Sequence, residues 1–115
     1  MCSATALARR PRVLIVDDDP LSLRATSRVL KAAGWDVDTT VDAPSIADAN
    51  RYDVVLTDWQ PLGPETLSAC HDAGTPVVVF TGSPDRAPAG VAVLAKPVNS
   101  IELDATLSAA AGVVL

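Results

Sequence analysis

The sequence predicts an α/β domain built on a parallel sheet, and two observations carry the prediction. Short continuous aliphatic runs, Val13-Leu14-Ile15-Val16, Val54-Val55-Leu56 and Val77-Val78-Val79, are each bounded by breakers or polar residues, the pattern of strands buried on both faces. Between them fall segments with helical spacing of apolar residues, giving an alternating order. A chain of 115 residues supports one domain with one core and is too short for two. Hydrophobic residues make up 49% of the chain and aromatic ones only 3%, so Ala, Val, Leu and Ile must build that core.

In chain order, residues 1–11 read as a mobile tail, residues 12–111 as the domain and residues 112–115 as a short second tail. Arg9, Arg10 and Arg12 are expected as a solvated flank. The first strand ends at Asp17-Asp18-Asp19, and Asp19 before Pro20 fits a helix N-cap with Pro at the first helical position. Leu23, Thr26, Leu30 and Ala33 continue that helix to Gly34, which supplies the stop. Trp35 closes the helix end and opens a second strand to Val41; a short helix is expected from Asp42-Ala43-Pro44 to about Asn50.

The third strand is expected over 52–57 and delivers Asp58. A helix over 65–73 follows, stopped by Gly74, with Cys70 packed inside and His71 near its exposed C-terminal end. The fourth strand, 76–80, ends at Thr81-Gly82. Ser83 to Gly90 contains two prolines and a glycine, too broken for more than a turn of helix. Val91 to Ala95 is the fifth strand, ended by Lys96-Pro97, and Asn99 or Ser100 caps a last helix with Leu103, Leu107 and Ala110 on one face.

Composition excludes several functions. A net charge of −5 argues against direct DNA binding and against an anionic membrane surface, and is compatible with a divalent cation. Cys2 and Cys70 have no metal or redox spacing, and no signal-type h-region or long apolar span is present; a reduced cytoplasmic protein is expected.

The informative residues stand at the strand ends: Asp17 and Asp18, Asp58, Thr81 and Lys96. A parallel sheet gathers all of them at its carboxyl edge, where open α/β sheets bind ligands. Adjacent carboxylates repel unless a cation takes up their charge. Carboxylates for a metal, one carboxylate as nucleophile, and a hydroxyl and an ammonium for the oxygens of a transferred group make a phosphoryl-transfer site.

These motifs resemble, in order and register over residues 12–111, the receiver domain of two-component response regulators. The resemblance implies a flavodoxin-like three-layer αβα sandwich with a five-stranded sheet of order 2-1-3-4-5. It implies that Asp58 accepts a phosphoryl group from a histidine kinase or a histidine phosphotransfer protein. It implies Mg²⁺ or Mn²⁺ held by Asp18, by Asp17 through water, by Asp58 and by the Gln60 main-chain carbonyl. Thr81, Gly82 and Lys96 match the family's phosphate-binding positions, and Lys96-Pro97 matches a bond that is typically cis. The domain is then no enzyme beyond its own phosphorylation and dephosphorylation. A stand-alone chain signals through protein contacts with an effector, as a monomer or weak homodimer.

Three departures from the family stand out. The loop after Asp58 is one residue short, the fourth helix is degenerate, and Val93 occupies the usual aromatic switch position. A pseudo-receiver acting as an interaction module is therefore the alternative, favoured by the short helix and disfavoured by the complete set of acids, hydroxyl and lysine. A haloacid dehalogenase-type phosphatase would use Asp17-Asp18-Asp19, Thr81 and Lys96, but it leaves Asp58 without a role and lacks a later acidic pair.

Overall fold

The computed structural model describes residues 11–96 and 99–112. Its elements are β1 (Arg12–Val16), α1 (Pro20–Ala32), β2 (Asp36–Thr40), α2 (Ile46–Ala49), β3 (Val54–Thr57), α3 (Gly63–Ala73), β4 (Val77–Thr81), a 3-10 turn (Pro84–Arg86), β5 (Ala92–Ala95) and α4 (Ser100–Ala111). All strand pairs are parallel, in the order β2-β1-β3-β4-β5. This is the flavodoxin-like order that the family resemblance implies.

Alternate residues of each central strand feed opposite faces, as a pleated strand requires. Val13, Ile15, Val54 and Leu56 pack with Leu23, Leu30, Leu103 and Leu107 of α1 and α4. Leu14, Val16 and Val55 face the other way, onto Ala49 and Cys70 of α2 and α3. The second layer is the thinner one, because α2 has only four residues and the β4–β5 connection has only the 3-10 turn. An apolar groove of about 650 Å³ runs between α3 and the starts of β4 and β5, beside Pro64, Leu67, Val77 and Val91.

Local chemistry sets the element ends. The Asp19 carboxylate accepts the Leu21 N–H at 3.1 Å, capping α1 as expected. Gly34, at φ 100°, turns the chain after α1, and Gly74, at φ 72°, ends α3, both in the region that disfavours a Cβ. Asn99 caps α4 by accepting the Glu102 N–H at 2.7 Å. Two expectations are corrected. The second helix starts at Ile46, capped by Ser45, because the Asp42 N–H is already held by Thr40 Oγ1 at 3.1 Å in a tight turn. Arg12 is not a solvated flank: half-buried, it stands 3.7 Å from Asp36 and over the Tyr52 ring at 5.3 Å. Arg9, Arg10, Cys2 and both expected tails except Pro11 and Gly112 lie outside the described residues.

Trp35 ties the two helices of the thicker layer together. Its indole is buried, and Nε1–H donates to Asp104 of α4 at 2.7 Å. Among the described residues no helix is long and apolar enough to cross a membrane. Trp35→Phe, which keeps the ring packing and removes the bond, is expected to lower stability by about 1 kcal/mol, and Trp35→Ala by about 3–5 kcal/mol. Urea unfolding followed by circular dichroism measures both; equal losses would show that the bond, not the burial, carries the contribution.

Candidate functional site

Sheet register assembles the site. Val16 pairs with Thr57, so the next residues, Asp17 and Asp58, leave β1 and β3 side by side. The Asp58 N–H donates to the Val16 carbonyl at 3.0 Å, extending the ladder by one step. Thr81 pairs with Ala95, which places Lys96 just past it, and the Lys96 N–H donates to the Thr81 carbonyl at 2.8 Å. A cleft of about 370 Å³ at this edge is lined by Asp17, Asp18, Asp58, Gln60, Thr81, Gly82 and Lys96. The residues singled out in the sequence therefore come to one place. The Lys96-Pro97 bond lies outside the described residues; the loop after Asp58 has a cis Gln60–Pro61 bond.

The three carboxylates each offer an oxygen within 4.8 Å of the others. Asp17 and Asp58 are 7% and 8% exposed, while Asp18 is open to solvent. The oxygens of Asp17 are engaged: Oδ1 accepts the Asp19 N–H at 3.0 Å, and Oδ2 faces Lys96 Nζ at 3.5 Å. Asp58 differs. Its Oδ1 is buried without a hydrogen-bond partner, a condition that costs about 1–3 kcal/mol when nothing else satisfies the atom. Burial first, then the neighbouring charge of Asp17, pushes the Asp58 carboxyl up to about 6; the backbone amides of Asp18 and Leu62 partly offset the rise. A buried orphan oxygen among three acids is the donor set that a hard cation fits.

Three neighbours shape the cleft. The Lys96 ammonium lies 4.9 Å from the centre of the Phe80 ring, a cation–π contact that helps to hold it over the acids. Thr81 Oγ1 accepts the Ser83 N–H at 3.0 Å, which leaves its own proton free to donate. Gly63 lets the loop close: a Cβ there would stand 2.5 Å from Trp59 Cε3 and 2.7 Å from the Asp58 carbonyl. Asp19, at the cleft rim, serves as the helix cap and is outside the three-acid cluster. Cys70 is fully buried, its thiol pushed up to about 11 by that burial, and His71 is exposed in the last turn of α3.

Sequence reasoning missed Arg86, which lines the cleft from the 3-10 turn. The available signal was a single cation five residues beyond the strand-end Thr81, in a segment too broken to carry it away as a helix would.

Comparison with known proteins agrees with this geometry. No protein-family model matches the chain. It is 32% identical over 83 residues to the DNA-binding response regulator MtrA of Mycolicibacterium smegmatis, an alignment covering 66% of this chain and 36% of that protein. It spans well under half the length of the curated relatives it matches. A response regulator receiver protein from Burkholderia phymatum is 29% identical, with a TM-score of 0.72 over 91% of this chain and 98% of that one. The receiver domain of a sensor histidine kinase from Pseudomonas aeruginosa PAO1, crystallised with a magnesium ion coordinated in its active-site cleft, shares the fold. Its TM-score is 0.78 at 23% identity, over 90% of this chain and 99% of that one. The chain has the fold of the response regulator receiver domains, and a curated response regulator is among the proteins it resembles in sequence.

The raised Asp58 pKa predicts a pH dependence. A folded-state value of about 6 against the ordinary 3.8 means that the native state binds this proton more tightly than the unfolded one. The stabilisation it gives is therefore full below about pH 4 and lost as pH rises through about 6. In the metal-free protein, Asp58→Asn is expected to raise stability by about 1–2 kcal/mol near pH 7, a range discounted for solvent screening. The gain should vanish below about pH 4. Urea unfolding at several pH values checks this, and a variant no more stable near pH 7 would contradict the proposed cost of burying the Asp58 charge beside Asp17.

Proposed function

We infer that this receiver domain accepts a phosphoryl group on Asp58 in a reaction that depends on Mg²⁺. The observation that carries the reading is the pairing pattern of the acids: Asp17 is engaged by Lys96 and by the Asp19 amide, while Asp58, which lines the cleft, keeps a buried, unpartnered oxygen. The Asp58 carboxylate, with one oxygen left for a cation, is the nucleophile in this reading. In the transfer a carboxylate oxygen of Asp58 bonds to phosphorus while the donor's bond to phosphorus breaks, giving an acyl phosphate.

Asp17, Asp18, Asp58 and the Gln60 carbonyl would hold the cation. Bound there, Mg²⁺ would neutralise charge on the phosphoryl oxygens and lower the repulsion that the transfer must overcome. Lys96 supplies a second positive charge at the same edge. Thr81 offers its free hydroxyl proton, and Gly82 a backbone N–H with no side chain in the way. The presence of magnesium in the cleft of the Pseudomonas aeruginosa receiver domain supports the choice of ion.

The donor class that suits such a site is a phosphohistidine protein, a histidine kinase or a histidine phosphotransfer protein, and the output passes to an effector by protein contact. The dehalogenase-type reading would need Asp17 as the nucleophile. Its two oxygens are the engaged ones, which favours Asp58.

Intact mass after incubation with Mg²⁺ and acetyl phosphate tests the reading. A single labile phosphoryl adduct is expected on the unmodified chain, absent from Asp58→Asn and reduced at least tenfold in initial rate by Asp18→Ala. An adduct that persists in Asp58→Asn and disappears in Asp17→Asn would overturn the assignment. No adduct from acetyl phosphate or from a panel of phosphohistidine donors would favour the phosphorylation-independent module.

A further inference from the structure

The receiver reading leaves one cation at the cleft without a task. Arg86 lines the same cleft as Asp58, Thr81 and Lys96. It is exposed and forms no ion pair with a carboxylate among the described residues. It belongs to the 3-10 turn that stands between β4 and β5 where the family has a helix.

That turn is wired to the strand-end hydroxyl. The Ser83 N–H donates to Thr81 Oγ1 at 3.0 Å, and the Arg86 N–H donates to the Ser83 carbonyl at 3.0 Å. A change at the Thr81 hydroxyl therefore reaches Arg86 through two hydrogen bonds. Pro84, Pro88 and Gly90, the last at φ 84°, keep the segment from extending into a regular helix. It is a short exposed turn held at few points.

Charge gives the turn a reason to move. With a divalent ion bound, the three carboxylates are balanced by the ion and the Lys96 ammonium. Phosphorylation of Asp58 replaces one carboxylate charge with about −1.5 to −2, leaving roughly one negative charge that no group of that set offsets. A guanidinium presents a planar fork of donors that matches phosphoryl oxygens.

We propose that Arg86 reads the phosphoryl group: its guanidinium closes on the oxygens of phosphorylated Asp58 and carries the Pro84–Arg86 turn over the cleft. The inference rests on the receiver reading and supplies its moving element. Val93 stands where the family has its aromatic switch residue, so the change at Thr81 leaves the site through the turn instead of through a rotating ring.

Beryllofluoride, a tetrahedral phosphoryl mimic, tests this in the presence of Mg²⁺, with affinity read from Trp59 fluorescence and ordering from amide hydrogen exchange over residues 83–87. The unmodified chain is expected to gain exchange protection there on binding. Arg86→Ala should bind the mimic about five- to tenfold more weakly and show no added protection, with Mg²⁺ affinity within about twofold of the unmodified chain. Arg86→Lys, which keeps the charge and loses the fork, should recover part of the affinity. An Arg86→Ala variant with unchanged affinity and protection would overturn the proposal and leave the receiver reading intact. Loss of Mg²⁺ affinity in step with the mimic would overturn it too, since Arg86 would then act on the field of the whole cleft. An unmodified chain that takes up no beryllofluoride would overturn the receiver reading and this inference together.

Discussion

Repulsion among Asp17, Asp18 and Asp58 is the constraint on which the rest of this structure depends. Their oxygens lie within 4.8 Å of one another, two of the three side chains are buried, and one ammonium, that of Lys96, faces them. In bulk water such a cluster would disperse. Here the register of two adjacent strands, β1 and β3, holds it, since Asp17 and Asp58 follow directly on the paired residues Val16 and Thr57 and cannot separate without unzipping the centre of the sheet. The fold thus keeps three like charges together, and burial first, then the neighbouring charge of Asp17, holds the Asp58 carboxyl above its ordinary range.

The hydrophobic layers oppose that strain. The thicker one, under α1 and α4, contains the largest fully buried side chains, Leu30, Leu56 and Leu107, and the Trp35–Asp104 tie. The thinner one lies under α2 and α3 and is built on Leu14, Val16, Ala49, Val55 and Cys70. Packing is concentrated on one side of the sheet, and the other side is lightly packed. Low-stability elements are the ones from which switches are drawn, and the 3-10 turn is the least embedded of them.

Much of this was legible in the sequence because it depends on local chemistry. Runs such as Val13-Leu14-Ile15-Val16 can only be buried strands, and Asp19-Pro20, Gly34, Gly74 and Asn99 punctuate helices by rules that hold regardless of tertiary context. The acids, Thr81 and Lys96 were legible because each ends a strand, and a parallel sheet puts strand ends at one edge. What escaped depended on contacts between distant segments. Arg12 looked like part of a basic flank until Tyr52 and Asp36 were seen around it. Asp42 looked like a helix start, but Thr40 holds its amide. The short loop after Asp58 closes because Gly63 admits the Trp59 ring, a fit that spacing does not reveal. Arg86 gave little local signal, since its place at the cleft follows from where the turn lies relative to β1 and β3.

The most direct test of the central claim is thermal unfolding of the unmodified chain and of Asp58→Asn, near pH 7, with and without millimolar Mg²⁺. If carboxylate repulsion is held in the fold for a cation to relieve, Mg²⁺ should raise the melting temperature of the unmodified chain by several degrees, through preferential binding to the native state. Asp58→Asn should start higher and respond less. A melting temperature indifferent to Mg²⁺, or an equal response in both chains, would contradict the account.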